Sequence, residues 1–273
     1  MKRSPDLYAI IGHPVDHSLS PAIHATFARQ TGQALHYTRI DAPPGGFAAA
    51  LREFLASGGK GLNVTLPFKE EAAGLCHLLA PRAKLARAVN TVFVHEDGTL
   101  AGDNTDGVGL VRDLRQNRHV SLKNKRVLLL GAGGAARGVL PALLAEKPAR
   151  IYIANRTPER ARKLLERLDS EHVQAGGYDG IGRTTFSLVV NATSASLTGA
   201  LPPLPRDCLE PHAVCYDLFY GDRPTVFMLW AEQAGAAQVF DGWGMLVEQA
   251  AEAFHLWRGV RPDTAALIAA HRA

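Results

Sequence analysis

VLLLGAGGAA, at residues 127–136, joins a fully apolar run to a turn of small residues that opens a helix-like pattern. Gly131 permits a tight turn, Gly133 lets a ligand approach the backbone, and Ala136 allows the helix to pack closely on the strand. A second apolar run, at 151–154, follows at the spacing of a strand–helix–strand unit. The stretch therefore predicts a parallel sheet and, at the start of the helix, a pyrophosphate site. A tight turn without a ligand is the alternative interpretation.

The residues at the end of the second strand indicate which nucleotide this turn would bind. Folds that bind NAD place Asp or Glu there to bond the ribose 2′-hydroxyl, whereas this chain has Asn155-Arg156-Thr157. No carboxylate stands there to repel a 2′-phosphate, and the planar guanidinium of Arg156 can grip one. Arg160 adds charge one helical turn further on. These residues favour NADP(H). In the alternative, Arg156 is a solvated loop residue and Thr157 only caps the next helix.

Outward from this unit, short apolar runs alternate with helical periods, as they do in α/β proteins. Ser20 is expected to cap a helix that begins at Pro21, and Asp106 to begin a helix over 106–116 that bridges two domains. Further strands are expected at 7–11, 37–40, 62–66, 188–191 and 214–218, and further helices at 46–57, from 157 onward and at 245–257. The last two of these strands would complete a small parallel sheet.

The composition is that of a globular protein with a mild cationic excess. The chain has 273 residues, 47% hydrophobic and 21% charged, and a formal net charge of +4. These values exclude disorder, and no dense basic stripe of the nucleic-acid-binding kind occurs. Three scattered cysteines are too few for a disulfide framework or a zinc site, and the spacing of His13, His17 and His24 matches no common zinc pattern. Without a signal-peptide pattern or an unbroken membrane span, we expect a cytoplasmic protein with neither membrane nor nucleic-acid partners and no metal.

The N-terminal half contains three clusters of polar side chains that the predicted strands and loops do not require. The hydroxyls of Ser18 and Ser20 can bind a carboxylate together with the helix N-terminus, or Ser20 simply caps the helix. Lys69 ends the stretch NVTLPFK (63–69), as a general acid–base, an electrostatic clamp or an ordinary surface lysine. Asn90 lies in AVNT (88–91), and Asp106 in GDNTDG (102–107) either does chemistry or only begins a helix.

Taken together, the motifs resemble those of the shikimate dehydrogenase family nearly end to end, in the family's order. They are GHPVDHSLSPAIH (12–24), GLNVTLPFK (61–69), AVNT (88–91), GDNTDG (102–107), GAGGAAR (131–137), NRT (155–157), NATS (191–194), YDLFY (216–220) and DGWGMLVEQA (241–250). The resemblance implies two α/β domains with a cleft between them. One is a substrate-binding, catalytic domain at 1–106 that 241–273 completes, which would bring Gln249 to Ser18 and Ser20. The other is a Rossmann NADP-binding domain at 107–240.

The resemblance also implies an activity, the reversible NADP-dependent reduction of 3-dehydroshikimate to shikimate in chorismate and aromatic amino-acid biosynthesis. Lys69 and Asp106 match the family's catalytic pair, with Lys69 as proton donor or electrostatic stabiliser. The positions that match its substrate contacts are Ser18, Ser20, Asn63, Thr65, Lys69, Asn90, Asp106, Tyr220 and Gln249. Those that match its cofactor contacts are Gly131, Ala132, Gly133, Gly134, Ala135, Asn155, Arg156, Thr157, Arg160, Thr193, Leu218 and Gly242.

Three positions depart from the family pattern without removing a catalytic group. Ala25 stands where Asn is usual, the glycine after NATS is displaced to Gly199, and Leu218 stands where Met is common. Other functions stay open: a quinate/shikimate dehydrogenase that uses NAD, a module that senses NADP(H) without turnover, and a methylene-folate dehydrogenase-like enzyme. A sensor needs neither Lys69 nor Asp106, and a pterin would need an apolar slot. The sequence does not give the oligomeric state, for which a homodimer is one alternative.

Overall fold

The chain forms two compact units in a computed structural model that describes residues 4–166 and 171–270. The first unit contains the chain up to Leu110 together with the segment that starts at Leu246, and the second runs from Val111 to Met245. Within these described ranges, no helix is both long and apolar enough to cross a bilayer.

Each unit is built on a six-stranded sheet. The strands are β1 (Asp6–Gly12), β2 (Leu35–Asp41), β3 (Gly59–Val64), β4 (Leu78–Leu79), β5 (Thr91–Val94), β6 (Leu100–Asp103), β7 (Arg126–Leu130), β8 (Arg150–Ala154), β9 (Val173–Gly176), β10 (Phe186–Asn191), β11 (Leu209–Asp217) and β12 (Gln238–Phe240). The helices are α1 (Ser20–Thr31), α2 (Phe47–Ala56), α3 (Lys69–Leu75), α4 (Pro81–Ala86), α5 (Asp106–Arg112), α6 (Gly134–Ala145), α7 (Pro158–Leu165), α8 (Val226–Gln233), α9 (Trp243–Arg258) and α10 (Ala265–Ala269).

The sheet of the first unit is mixed, with the strand order β2-β1-β3-β5-β6-β4. β1 pairs in parallel with β2 and β3, whereas β5 runs antiparallel to both β3 and β6. Thr91 at the start of β5 pairs with Asp103 at the end of β6. The pairing therefore brings Asn90, just before β5, beside the residues that follow β6.

Alternation along β1 supplies the core on both faces of this sheet. Ala9 and Ile11 are fully buried in a cluster with Phe47 of α2, whereas Tyr8 and Ile10 belong to a second cluster. Because successive strand residues point to opposite faces, an apolar run such as β1 predicts a strand that is covered on both sides.

All strand pairings in the second unit are parallel, in the order β12-β11-β10-β7-β8-β9. Counted from the first strand of this sheet, that is the 3-2-1-4-5-6 order of a Rossmann fold. Residues 127–130 of the central strand β7 are fully buried. The order reverses between β7 and β10, and dinucleotides bind at the carboxyl ends of strands at such a reversal. The predicted parallel sheet and the two-domain α/β class are confirmed.

Two expectations about helix ends were wrong in detail. Helix α1 begins at Ser20 itself, and Leu19 occupies the capping position without a side-chain bond. The helix expected over 106–116 is α-helical only to Arg112 and continues as a π-helical turn over Asp113–Asn117. The Asp113 side chain is fully buried and accepts a hydrogen bond from Asn117 Nδ2 at 3.0 Å within this wider turn.

Candidate active site

Lys69 and Asp106 form an ion pair at the amino ends of α3 and α5. Lys69 Nζ lies 2.6 Å from Asp106 Oδ2, and the two side chains are only 12% and 5% exposed. Lys69 is the first residue of α3, where the Ala72 N–H already bonds the Phe68 carbonyl oxygen. The amino end of α5 favours a carboxylate through its unpaired N–H groups. A cation held this firmly beside a carboxylate suits proton transfer or charge stabilisation.

Asn90 connects this pair to the C-terminal helix α9. Its Nδ2 lies 2.8 Å from Asp106 Oδ1, 2.9 Å from Thr105 Oγ1 and 3.2 Å from Gln249 Oε1. Its Oδ1 accepts from the backbone N–H of Thr105 at 2.8 Å. The structure thus links four of the predicted site residues, Lys69, Asp106, Asn90 and Gln249, through hydrogen bonds. The Gln249 side chain meets Asn90 and Thr105 in this arrangement.

Ser18 and Ser20 lie at the start of α1, and Ser20 does not cap this helix. The Ser20 backbone N–H donates to Ser18 Oγ at 3.3 Å, so Ser18 is the serine that serves the helix end. Arg39 holds the same loop, with Nη2 at 2.6 Å and Nε at 3.0 Å from the Ser18 carbonyl oxygen. The Ser20 hydroxyl therefore makes no capping hydrogen bond in α1, and the Ser20 residue is only 2% exposed.

Asn63 and Thr65 lie at the carboxyl end of β3. Asn63 Nδ2 donates to the Asn90 carbonyl oxygen at 3.1 Å and to Thr91 Oγ1 at 3.2 Å, and its Oδ1 accepts from the Tyr37 hydroxyl at 2.7 Å. Because a carboxamide has two N–H hydrogens, Asn63 can offer a ligand only a lone pair of its oxygen. Thr65 follows β3 directly and is half-buried.

A partly buried charge network around Arg82 was missed from the sequence. Arg82 of α4 pairs with Asp103 through Nε and Nη2, both at 2.7 Å, and Nη2 lies 3.1 Å from Glu252 Oε1. Asp103 precedes the Asp106 turn, and Glu252 follows Gln249 by about one turn of α9. Arg82 therefore ties together two segments that carry site residues. These partners are 21 and 170 positions away along the chain, so no local spacing could have indicated the network.

In the second unit, the turn after β7 has the geometry that a dinucleotide requires. Gly131 has a φ of +102°, and a Cβ there would lie 2.9 Å from the Ala192 carbonyl oxygen, so its own surroundings demand glycine. A Cβ at Gly133 would meet nothing within 4 Å, so the protein's own packing does not require glycine at that position. Open space at the amino end of the 12-residue helix α6 is what close approach of a pyrophosphate needs. The other predicted contacts of this turn are Ala132, Gly134 and Ala135.

The end of β8 carries two exposed cations, Arg156 and Arg160. Asn155 Nδ2 donates to the Thr157 carbonyl oxygen at 2.8 Å and closes the turn. Thr157 stands at the capping position of α7, but its hydroxyl makes no capping bond. The neighbouring carboxylate, Glu159, lies 3.2 Å from Arg162 in an ion pair. An exposed guanidinium at the end of β8, as at Arg156, suits a bound phosphate.

The remaining predicted cofactor residues lie beyond the carboxyl ends of β10, β11 and β12. Thr193 Oγ1 is bonded within the turn after β10. Leu218 and Gly242 are in backbone contact, since a Cβ at Gly242 would lie 2.1 Å from the Leu218 carbonyl oxygen. Tyr220 belongs to this second unit, where its ring centroid lies 6.3 Å from that of Trp243.

Asp217, at the end of β11, organises these turns and was also missed. It is fully buried and accepts from Asn191 Nδ2 at 3.1 Å, Ser196 Oγ at 2.7 Å and Thr225 Oγ1 at 2.7 Å. Burial raises the pKa of this carboxyl above its usual range, and the hydroxyl and amide donors oppose that shift. The aspartate is visible within YDLFY, and the Phe219 N–H of that motif also donates to it, but the three side chains that donate to it come from other segments.

Three family models match successive parts of the chain. The shikimate dehydrogenase substrate binding domain matches residues 10–92, the shikimate / quinate 5-dehydrogenase model residues 113–198, and the shikimate 5′-dehydrogenase C-terminal domain residues 242–270. The first and third matches lie mostly or wholly in the first unit, and the second lies in the second unit.

Individual proteins match over nearly the full chain. The shikimate dehydrogenase (NADP(+)) of Alkalilimnicola ehrlichii is 57% identical over 268 residues, which cover 98% of each chain. Among solved structures, an Ael1 enzyme from Pseudomonas putida is 45% identical with a TM-score of 0.91 and 98% coverage of both chains. Shikimate 5-dehydrogenase from Thermus thermophilus, in complex with NADP(H) and shikimate, is 35% identical with a TM-score of 0.86 and the same coverage. Identity of this extent, spread over both units, makes the chain a member of the shikimate dehydrogenase family.

Proposed function

We infer that this protein catalyses the reversible, NADP-dependent reduction of 3-dehydroshikimate to shikimate, a step of aromatic amino-acid biosynthesis, with Lys69 and Asp106 as its catalytic pair. The observation that carries the assignment of the pair is its buried geometry, with Lys69 Nζ 2.6 Å from Asp106 Oδ2. Full-length identity of 57% to a curated NADP(+)-dependent shikimate dehydrogenase supports the activity.

NADP(H) is the proposed cofactor, and residues of the second unit would hold it. The turn at 131–135 would bind the pyrophosphate, Arg156 and Arg160 the 2′-phosphate, with Asn155 and Thr157 shaping that turn. The residues proposed on the nicotinamide side are Thr193, Leu218 and Gly242. Open space over Gly133 and the exposed guanidinium at the end of β8 support this fit. When bound, the reduced cofactor supplies the hydride.

The first unit is proposed to hold the substrate, which is an anionic polyol. Ser18 and Ser20 would bind its carboxylate near the amino end of α1. The side chains proposed for its hydroxyls are Thr65, Asn90, Asp106 and Gln249, with Tyr220 of the second unit as a further contact. Asn63 would take part only as an acceptor, because its two N–H hydrogens already have protein partners.

Lys69 is proposed to move the proton. In the reduction, negative charge grows on the carbonyl oxygen of the substrate, and a positioned donor at that oxygen lowers the barrier. The Lys69 ammonium donates to this oxygen, and in the reverse reaction the amine takes the proton back. Asp106 Oδ2 holds the ammonium while Asn90 Nδ2 holds Oδ1, so the carboxylate cannot swing away from the lysine.

The test of this function is a matrix of initial rates, followed by the absorbance of the reduced nicotinamide. Shikimate and quinate are each combined with NADP and with NAD, and we expect shikimate with NADP to dominate. A dominant rate with quinate or NAD would contradict the stated specificity but keep the catalytic pair. Silence in all four combinations, with NADP still bound in a titration, would overturn the enzymatic function in favour of a sensor.

The quinate alternative is kept because one matched family model carries the description shikimate / quinate 5-dehydrogenase. Both substrates offer a carboxylate and ring hydroxyls, so the two serines do not discriminate between them. The rate matrix decides the question directly.

A cytoplasmic location is proposed as well. Its support is the state of Cys76, Cys208 and Cys215, which are all free thiols, as is usual in a reducing compartment. A homodimer stays an alternative to a monomer, and light scattering of the purified chain decides between them.

A further inference from the structure

Tyr37 lies in the edge strand β2 and is buried beneath the predicted substrate residues of the first unit. It is 8% exposed and shares an apolar cluster with Tyr8, Ile10 and Val15. Its ring stacks on the fully buried His24, with ring centroids 4.4 Å apart and planes inclined by 7°. Stacking on His24 and packing within the apolar cluster therefore fix the position of the phenol ring.

The hydroxyl of Tyr37 bonds Asn63, a residue proposed to bind substrate. It donates to Asn63 Oδ1 at 2.7 Å. Burial raises the pKa of Tyr37 well above its usual range, so the phenol keeps its proton at working pH and remains a donor.

The bond to Tyr37 also decides which way the Asn63 carboxamide faces. In the observed orientation Nδ2 donates to the Asn90 carbonyl oxygen and to Thr91 Oγ1, and Oδ1 receives the phenol proton. A rotated carboxamide would place its oxygen against the Asn90 carbonyl oxygen and lose a donor–acceptor match. Without the phenol proton, the buried Oδ1 has one bond fewer and the amide is less firmly held.

The Asn63 amide in turn supports the backbone of Asn90. The side chain of Asn90 bonds Asp106 Oδ1 at 2.8 Å, and Asp106 holds Lys69. A path of hydrogen bonds through Asn63 and Asn90 thus links the Tyr37 hydroxyl to the Lys69–Asp106 pair.

We propose that Tyr37 is a positioning residue of the substrate site, whose hydroxyl fixes the Asn63 carboxamide in the arrangement that receives the substrate. The inference rests on the proposed function. Tyr37 acts through its neighbours, so it governs how well the substrate is held and oriented and leaves cofactor binding alone.

The test is Tyr37→Phe, which removes one oxygen and keeps the stacked ring. Because Asn63 Oδ1 loses a buried donor, kcat/KM for shikimate should fall about tenfold, mainly through KM. KM for NADP should stay within about twofold of the wild-type value. A purely structural role would lower Tm and affect both substrates alike.

Tyr8→Phe is the matched control. Tyr8 is also buried in the same cluster and packs on Trp257, but its hydroxyl faces Arg258 Nη1 at 3.4 Å. This variant should keep kcat/KM for shikimate within about twofold. A Tyr37→Phe enzyme equally close to wild type would overturn the inference.

A double-mutant cycle tests whether the effect passes through Asn63. In an Asn63→Ala background, Tyr37→Phe should change kcat/KM by less than about twofold, since its acceptor is already gone. An undiminished tenfold effect in that background would overturn the proposed route. The wild-type rate with shikimate and NADP is measured first, and its absence would overturn the proposed function and this inference together.

Discussion

Lys69 donates to Asp106 across 2.6 Å in surroundings that leave its side chain only 12% exposed. Lys69→Ala removes the proposed proton donor without touching the nucleotide turn of the second unit. We expect kcat to fall by about 10²–10⁴-fold, the usual contribution of a general acid, while NADP still binds with its normal affinity. Steady-state rates and a fluorescence titration with NADPH check both parts.

Lys60→Ala is the control for that variant. Lys60 is an exposed lysine of β3, the strand that precedes α3 along the chain. It should behave as wild type. Normal turnover in Lys69→Ala would refute the assignment of the catalytic pair.

Arg156 decides the preference between the two nicotinamide cofactors if it binds the 2′-phosphate. Arg156→Gln removes a charge-assisted contact worth about 1.5–3 kcal/mol, so KM for NADP should rise by about 10–100-fold. KM for NAD, which has no 2′-phosphate, should change little. Arg183→Gln, at another exposed arginine of the second unit, should alter neither value. Equal effects on both cofactors would contradict the assignment.

At the scale of elements, Gly244 shows how closely α9 approaches the π-helical turn at Asp113–Asn117. A Cβ at Gly244 would lie 2.1 Å from Asp113 Oδ1, and Asp113 is buried and accepts from the Tyr216 hydroxyl at 2.7 Å. Gly244→Ala must therefore displace a bonded carboxylate, and we expect it to lower the free energy of unfolding by about 1–3 kcal/mol. Urea denaturation gives the value.

Gly74→Ala is the matched control, and we expect it to raise the free energy of unfolding, whereas Gly244→Ala lowers it. Gly74 lies in the exposed part of α3, and a Cβ there meets nothing within 4 Å. Because alanine favours the helix over glycine, this variant should gain about 0.5–1 kcal/mol. Destabilisation by both substitutions to a similar extent would show that the clash with Asp113 is not the cause.

Elements were predictable from the sequence where four or more apolar residues stand together. β1, β7 and β8 contain such runs, β10 has three consecutive apolar residues, and all four strands are largely buried. The two-residue strand β4 and the three-residue strand β12 carry no periodicity, and α3 and α4 are short helices within a stretch of mixed composition. Strand β3 ends at Val64 rather than at Leu66, because Thr65 and Leu66 already belong to the turn before α3. Such elements form because neighbouring strands and helices offer them partners.

At the scale of the whole molecule, the stability of the fold depends on keeping His24 neutral. His24 is fully buried among the rings of Phe27, Tyr37, Phe254 and Trp257, and burial lowers its pKa to about 3. The unfolded chain takes up this proton near pH 6.5, whereas the folded protein does not until about pH 3. The contribution is therefore complete above pH 6.5 and is lost as pH falls through this window.

The expected loss is on the order of 4 kcal/mol by pH 3. His24→Phe keeps a ring in the cluster and removes the titrating group, so its unfolding free energy should depend less steeply on pH between 6.5 and 3. Denaturation of both proteins over this range, in one buffer series of constant ionic strength, gives the two slopes. Parallel slopes would show that carboxylates elsewhere control the acid sensitivity.

The sequence by itself determined the fold class and the family, and it predicted the site residues. These properties depend on residues that are consecutive in the chain. An apolar run followed by a glycine turn restricts the backbone locally. An arginine after the second strand supplies positive charge without any tertiary contact. Tertiary structure alone decided other partnerships, such as Arg82 with Asp103, 21 positions apart, and Asn90 with Gln249, 159 positions apart. It also decided that Ser18 serves the helix end and that Tyr37 holds Asn63. These contacts depend on which strands pair and which helices pack, and that choice is made by burial summed over the whole chain, which no local pattern contains.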